Sequence, residues 1–173
     1  DVIYATVTCD DGFGGSDTQT SDSVICENSP PQAERIDLTP EAPRTTDDIV
    51  CEVISPTDAD GDDVFLTYQW TVNEVYLEYS GEVLPASLTS KDQDIRCLVT
   101  PADGFEPGTT LVSSPLRILN SEPEQPSVTI TPSPARTSDT LVATVEGSPR
   151  DADNDLISYG YQWFLNGTPT EII

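Results

Sequence analysis

The chain contains no histidine and no methionine, and Lys91 is the single lysine among its 7 basic residues. Lack of histidine removes the side chain that most often acts as a general base near neutral pH and most often ligates transition metals. Lack of methionine removes thioether chemistry. No stretch sustains a helical period of apolar residues. No run approaches the roughly 18 apolar residues of a spanning helix, and the first residues lack the basic-then-apolar order of an export signal. Direct membrane insertion is therefore not expected, and any signal or anchor would lie outside this sequence. The 31 acidic residues give a formal net charge of -24, which repels phosphate backbones and anionic lipid surfaces, so nucleic acid is not an expected partner. There is no G-x-S-x-G nucleophile motif, and carboxylates are so abundant that no catalytic pair stands out; the chain does not read as an enzyme.

What is present is strand-like. A length of 173 residues with 36% hydrophobic content suffices for one to two ordinary domains. The runs IVCEV, VFLTYQWTV, IRCLVTP and LVSSPLRIL are short, rich in β-branched and aromatic residues, and separated by Gly, Pro and Asp. In the second run alternation places Leu66, Tyr68 and Trp70 on one face and Phe65, Gln69 and Thr71 on the other. The fold class expected is all-β, with half-buried antiparallel strands.

The stretch DADGDDVFLTYQW (58–70) returns as DADNDLISYGYQW (151–163), with Ile157, Tyr159, Tyr161 and Trp163 expected to face inward. TPEAPRTTDDIVCEV from Thr39 aligns with TPSPARTSDTLVATV from Thr131 at an offset of 92 residues. Asp11-Gly12-Phe13 pairs with Asp103-Gly104-Phe105, and Asn28-Ser29 with Asn120-Ser121, at the same offset of 92; Trp70 and Trp163 are 93 apart, which requires one inserted residue near Gly147. A constant period marks tandem domains. The division expected is the end of one repeat at 1–28, a complete repeat at 29–120 and the front of a further repeat at 121–173. Neither end is expected at a domain boundary. The sequence reads as a window from a longer repetitive protein, or as pieces that complete each other between neighbouring chains through strand addition at open sheet edges. Prolines in the joints Asn28-Ser-Pro-Pro and Asn120-Ser-Glu-Pro stiffen them.

The combination of TP-x(4)-T-x-D before an early strand, DxDxD before YQW, and VTPADGFEPGT after a late cysteine resembles the tandem immunoglobulin-like repeats, related in style to PKD and cadherin-like modules, of very large secreted or surface proteins of bacteria. The resemblance covers the whole chain. It implies tandem β-sandwiches of about 92 residues, an extracellular or cell-surface location, and a role in a stalk, adhesin or fibre. The partners it implies are neighbouring repeats or copies of the same protein and, for an adhesin, surface glycans. Cys51, Trp70 and Cys97 take the order of an immunoglobulin-type sandwich, which implies a Cys51–Cys97 disulfide packed under the indole. Ile95 stands where a tyrosine corner would need Tyr, so the detailed strand order is not carried over. Ala143 stands at the Cys51 position of the following repeat and Ala5 at the Cys97 position of the preceding one. Cys9 and Cys26 have no counterparts; they bridge each other, on strands expected to be neighbours in one sheet, or a partner upstream. Four cysteines without C-x-x-C spacing point to disulfides and an oxidising compartment.

Carboxylates at alternate positions, Asp58, Asp60 and Asp62, can converge on one hard cation, because calcium takes about six to eight oxygens and tolerates irregular geometry. This is no EF-hand: Asp63 occupies the place of the turn glycine and Gln69 that of the closing glutamate. Further ligands are expected from the linker and the hairpin, Asn28 and Asp103. A second site is expected from Asp151, Asp153 and Asp155 with Asn120, bridged by Asp47, Asp48, Asp92 or Asp94. The alternative is a pair of solvated turns, since Asp, Asn and Gly are ordinary loop residues. Phe13 and Phe105, beside turn glycines, are expected to cap the sandwich.

Overall fold

The computed structural model describes residues 1–170. The chain forms β1 (Val2–Ile3), β2 (Thr6–Asp10), β3 (Ser16–Thr20), β4 (Val24–Ile25), β5 (Arg35–Thr39), β6 (Ile49–Ile54), β7 (Phe65–Val72), β8 (Val75–Tyr76) and β9 (Val83–Leu84). After the short 3-10 turn Ala86–Leu88 follow β10 (Asp94–Ala102), β11 (Leu111–Val112), β12 (Leu116–Arg117), β13 (Ser127–Thr131), β14 (Val142–Glu146), β15 (Phe164–Leu165) and β16 (Thr168–Pro169). Among the described residues there is no α-helix, so none is long and apolar enough to cross a membrane. The fold is all-β, and the pairs β1–β4, β2–β3, β6–β9, β7–β8, β10–β11, β10–β12, β13–β14 and β15–β16 are antiparallel.

The chain divides into two compact units. The first comprises Asp1–Asp37, Val53–Tyr68 and Leu98–Val112. In it β1 pairs with β4, β2 with β3, and the end of β10 with β11. Pro31, Val99 and Pro101 are its fully buried residues. The second comprises Leu38–Glu52, Gln69–Cys97 and the chain from Ser113. Here β6 pairs with β9, the end of β7 with β8, the start of β10 with β12, β13 with β14, and β15 with β16.

The buried positions follow from alternation. Strand β10 buries every second residue, Ile95, Cys97, Val99 and Pro101, because successive side chains point to opposite faces. Ile49, Cys51, Trp70, Leu84, Ile95 and Cys97 are all 0% exposed. A Cys51–Cys97 disulfide with Cα atoms 6.5 Å apart ties β6, in the sheet β5-β6-β9, to β10, in the sheet β11-β10-β7-β8. The indole Nε1 of Trp70 donates to the Gly81 carbonyl at 2.8 Å, so burial of the ring leaves no orphan donor. Two sheets cross-linked over an apolar interior are compatible with a β-sandwich.

Three expectations are corrected. LVSSPLRIL is not one strand: Pro115 has no N–H, and Ser113 turns its hydroxyl to accept from the Cys97 N–H at 3.0 Å, which separates β11 from β12. Residues 156–163 form no strand, and Tyr159 and Tyr161 are 44% and 46% exposed, because no neighbouring strand pairs with them among the described residues. Phe13 and Phe105 cap nothing, being 97% and 76% exposed.

Strand registers recur at fixed spacing. Val2↔Ile25 and Ile3↔Val24, displaced by 92 residues, become the observed pairs Asp94↔Arg117 and Ile95↔Leu116. Thr6↔Thr20 and Val7↔Gln19 become Leu98↔Val112 and Val99↔Leu111 at the same displacement of 92. Strand β5 at Arg35–Thr39 and β13 at Ser127–Thr131 share it.

Candidate functional site

The first acidic turn joins β6 to β7 and folds on its own carboxylate. Asp58 Oδ1 accepts the backbone N–H groups of Asp60 at 2.8 Å and of Asp62 at 3.4 Å, an Asx-type turn that requires Asp or Asn at its head. Asp60 Oδ2 accepts the Ser29 N–H at 2.7 Å and so holds the linker. Asn28 donates its amide to Asp103 Oδ2 at 2.7 Å and to Glu106 Oε1 at 3.2 Å. Asp103, only 6% exposed, accepts the N–H groups of Phe105 and Glu106 on its other oxygen and thereby closes the hairpin at Gly104. Gly108 is needed beside it, because a Cβ there would lie 1.9 Å from the Pro31 carbonyl oxygen.

The Asn28 amide, then the Glu106 N–H, hold the Asp103 carboxyl below its ordinary 3.8. Asp62 is pushed above 3.8, first by desolvation and then by the charges of Asp58, Asp103, Asp60 and Asp63. No basic side chain forms an ion pair with any of these carboxylates among the described residues. Asp58 Oδ2 is buried without a hydrogen-bond partner. These carboxylates supply oxygen donors and uncompensated charge, but among the described residues the three acidic side chains that lie close enough together to share one ion are Asp151, Asp153 and Asp155, not Asp58, Asp60 and Asp62.

The second turn repeats the frame. Asp151 Oδ1 accepts the N–H groups of Asp153 at 2.8 Å and Asp155 at 3.0 Å, and Asp153 Oδ2 accepts the Ser121 N–H at 2.7 Å. One oxygen each of Asp151, Asp153 and Asp155 lie within 4.8 Å of one another. Its surroundings differ from those of the first turn. Lys91 Nζ donates to Asp155 Oδ1 and, at 3.4 Å, to Asn120 Oδ1; the Thr45 hydroxyl donates to Asp153 Oδ1. Asn120 thus joins the cluster through Lys91, while its amide donates to the Ser121 carbonyl at 2.6 Å. Arg44 clamps the linker from outside, donating to the Asn120 carbonyl at 2.7 Å and pairing with Glu122 at 3.2 Å. The Thr45 hydroxyl foremost, with the Ser121 N–H and the Lys91 charge, holds Asp153 below 3.8. Its hydrogen bond to Asp155 and the charges of all three aspartates push Lys91 above its ordinary 10.5.

The expected bridging carboxylates are engaged elsewhere. Asp47 accepts the Arg44 N–H at 2.8 Å and Asp48 the Ala86 N–H at 2.7 Å, while Asp92 and Asp94 pair with Arg117. Lys91 and Thr45 take the places proposed for them. The signal for Lys91 was its solitude: a single lysine in so acidic a chain has many carboxylates to answer.

Cys9 and Cys26 are free and exposed. They do not bridge each other, because their strands are not neighbours: Cys9 faces Asp17 in the β2–β3 ladder, whereas Cys26 follows β4, which pairs with β1.

Comparison with protein-family models, with curated proteins and with solved structures finds no match to this chain.

Proposed function

We propose that the chain is a segment of an extracellular stalk or fibre made of tandem immunoglobulin-like repeats of about 92 residues, divided at 28/29 and 120/121, with calcium bound at the acidic turns beside the joints. The observation that carries this reading is the doubled frame: at each joint a linker serine N–H, Ser29 or Ser121, is clasped by the middle aspartate of its turn at 2.7 Å. A turn that holds its own linker sets the angle at which a repeat leaves its neighbour. Recurrent register at a spacing of 92 supports the repeat, and the Cys51–Cys97 disulfide supports an oxidising, extracellular setting. Calcium at the first turn would be held by Asp58, Asp60, Asp62, Asp103 and the Asn28 carbonyl oxygen of the side chain; at the second by Asp151, Asp153 and Asp155 with Asn120. There it would supply charge neutralisation and rigidity, not chemistry. Neighbouring repeats or further copies of the chain are the partners of such a rod.

A second reading, adhesion to surface glycans, rests on Phe13 and Phe105, exposed at 97% and 76% on corresponding hairpin turns, since a bare aromatic face can stack on a sugar ring.

The test is thermal unfolding of the whole chain in calcium and in chelator, for the natural protein, Asp58→Asn and Asp151→Asn. Asparagine keeps the Oδ1 acceptor that shapes the turn and removes the charge. Calcium at about 100 times its Kd should stabilise by about 2.7 kcal/mol, and Asp58→Asn should abolish the share that belongs to the first turn. Identical melting in calcium and chelator would sink the calcium joint.

A further inference from the structure

We infer that Asn166 is the acceptor of an N-linked glycan, carried on the turn between β15 and β16. The inference rests on the extracellular reading, because the transfer acts on exported chains. The sequence has five asparagines. Two positions beyond Asn28, Asn73, Asn120 and Asn154 stand Pro30, Val75, Glu122 and Leu156; Asn166 alone has a hydroxyl there, in Asn166-Gly167-Thr168. That hydroxyl, with no proline between, is what marks an asparagine as an acceptor.

The acceptor stands at the tip of a tight hairpin. Asn166 and Gly167 have φ of 53° and 82°, the left-handed pair that a two-residue turn needs. The Thr170 N–H donates to the Trp163 carbonyl at 2.8 Å, and Gln162 Nε2 donates to the Thr170 carbonyl at 2.6 Å. Residues 69–77 build the same hairpin 93 residues earlier. There the Leu77 N–H donates to the Trp70 carbonyl at 2.9 Å, Gln69 Nε2 donates to the Leu77 carbonyl at 2.7 Å, and Asn73 and Glu74 have φ of 48° and 68°. That earlier hairpin belongs to the sheet β11-β10-β7-β8, and its turn is still bare: Val75 and Tyr76, counterparts of Thr168 and Pro169, are 68% and 64% exposed. Exposure of Asn166 is therefore a property of the hairpin, whatever strands flank it.

The earlier hairpin also shows that the reacting atom is spared. Asn73 Oδ1 accepts the Asp94 N–H at 2.9 Å, while no hydrogen bond among the described residues uses its Nδ2. A glycan is bonded to Nδ2 and leaves Oδ1 an acceptor, so a cap of this kind and the modification are compatible. In the transfer the bond from Asn166 Nδ2 to the sugar C1 forms as the bond from C1 to a phosphate oxygen of a polyprenyl-diphosphate-linked oligosaccharide breaks. The diphosphate leaves, Nδ2 gives up one proton, and nothing is oxidised or reduced. Phe164, 63% exposed and two residues before Asn166, offers an apolar face for the first sugar. Strand β8 ends the sheet order β11-β10-β7-β8, so a glycan on the corresponding turn shields a sheet edge from strand addition.

The experiment secretes the full chain from mammalian cells behind a cleavable export signal and treats it with peptide N-glycosidase in heavy-oxygen water, which separates removal of a sugar from spontaneous deamidation of Asn-Gly. The expected result is a gel shift that the enzyme abolishes, with labelled aspartate at position 166 and at no other asparagine. Pro169 pins Thr168 in an extended conformation and slows its capture, so occupancy is partial, and Pro169→Tyr should raise it about twofold. Thr168→Val takes the residue found at Val75; it should keep the melting temperature and lose the glycan, whereas Thr168→Ser should keep both. A secreted chain with the Cys51–Cys97 disulfide formed and Asn166 unmodified overturns the inference, as does a shift that persists in Thr168→Val. A glycan on Asn166 without that disulfide would support the site and count against the oxidising setting, so the two failures stay distinguishable.

Discussion

The acidic turn at Asp58–Asp62 and the acidic turn at Asp151–Asp155 make the same hydrogen bonds: the leading aspartate takes two backbone N–H groups and the middle one takes the linker serine. They differ in what answers their charge. The first faces only further acids and an asparagine, and Asp62 is pushed upward; the second faces Lys91 and Thr45, and Asp153 is held down. Local sequence sets the backbone frame, because an Asx turn needs only its own few residues. The electrostatic state is set by side chains far away in sequence, the Thr45 hydroxyl on Asp153 first and then Lys91, 64 residues from its partner Asp155. One turn keeps its carboxylates without a basic partner among the described residues, and the other has Lys91 on Asp155.

Removing that cation should produce the largest effect on the contrast. Lys91→Met leaves Asp151, Asp153 and Asp155 as uncompensated as their counterparts. Calcium affinity of the second turn, measured by calorimetry in an Asp58→Asn background so that the first turn is silent, should rise on the order of tenfold, the scale of one unit charge a few ångströms from the ion in a partly screened setting. An unchanged affinity would show that lysine and calcium do not share the place.

Acid should separate the turns next, in opposite directions. The folded-state value of Asp62 is raised, so its contribution to stability is present below the ordinary 3.8 and is lost as pH rises through the raised value. Asp62→Asn should therefore melt higher than the natural protein at pH 7 and match it near pH 3. The Asp153 value is lowered, so its contribution is present above 3.8 and is lost as pH falls through the lowered value. Asp153→Asn should melt lower at pH 7, and the difference should close in acid. Carboxyl-carbon titration by NMR gives the midpoints directly; Asp62 titrating below Asp153 would reverse the comparison.

Much of this was legible in the residues themselves. Alternation in IRCLVTP gives the buried face of β10, and the recurrence of DxDxD before YQW gives both turns. What escaped is non-local. Residues 157–163 carry a strand pattern, yet a strand exists only with a neighbour, and none is paired there among the described residues. The break at Ser113 was signalled by Pro115, but the hydroxyl that replaces a ladder bond was not. Asp47 looked like a bridging ligand and is a local cap on the Arg44 N–H, as Asp139 is on the Arg136 N–H at 2.7 Å; that repetition within TP-x(4)-T-x-D argued for turn formation over metal binding.

The smallest expected effect separates a serine from its counterpart. Ser121 is 4% exposed and its hydroxyl is buried without a partner, while Ser29, whose N–H does the same work at the first turn, is half-buried. An unpaired buried hydroxyl costs about 1 kcal/mol or more, so Ser121→Ala should stabilise the chain by up to about that amount in chelator, and Ser29→Ala should leave it unchanged. Ser121 borders, with Asp151 and Arg44, a cleft beside the second turn. If calcium or its water uses the hydroxyl, the gain measured in chelator should vanish or reverse when calcium is added; a gain that persists in calcium would leave the serine outside the ion's reach and the second turn dependent on its aspartates alone.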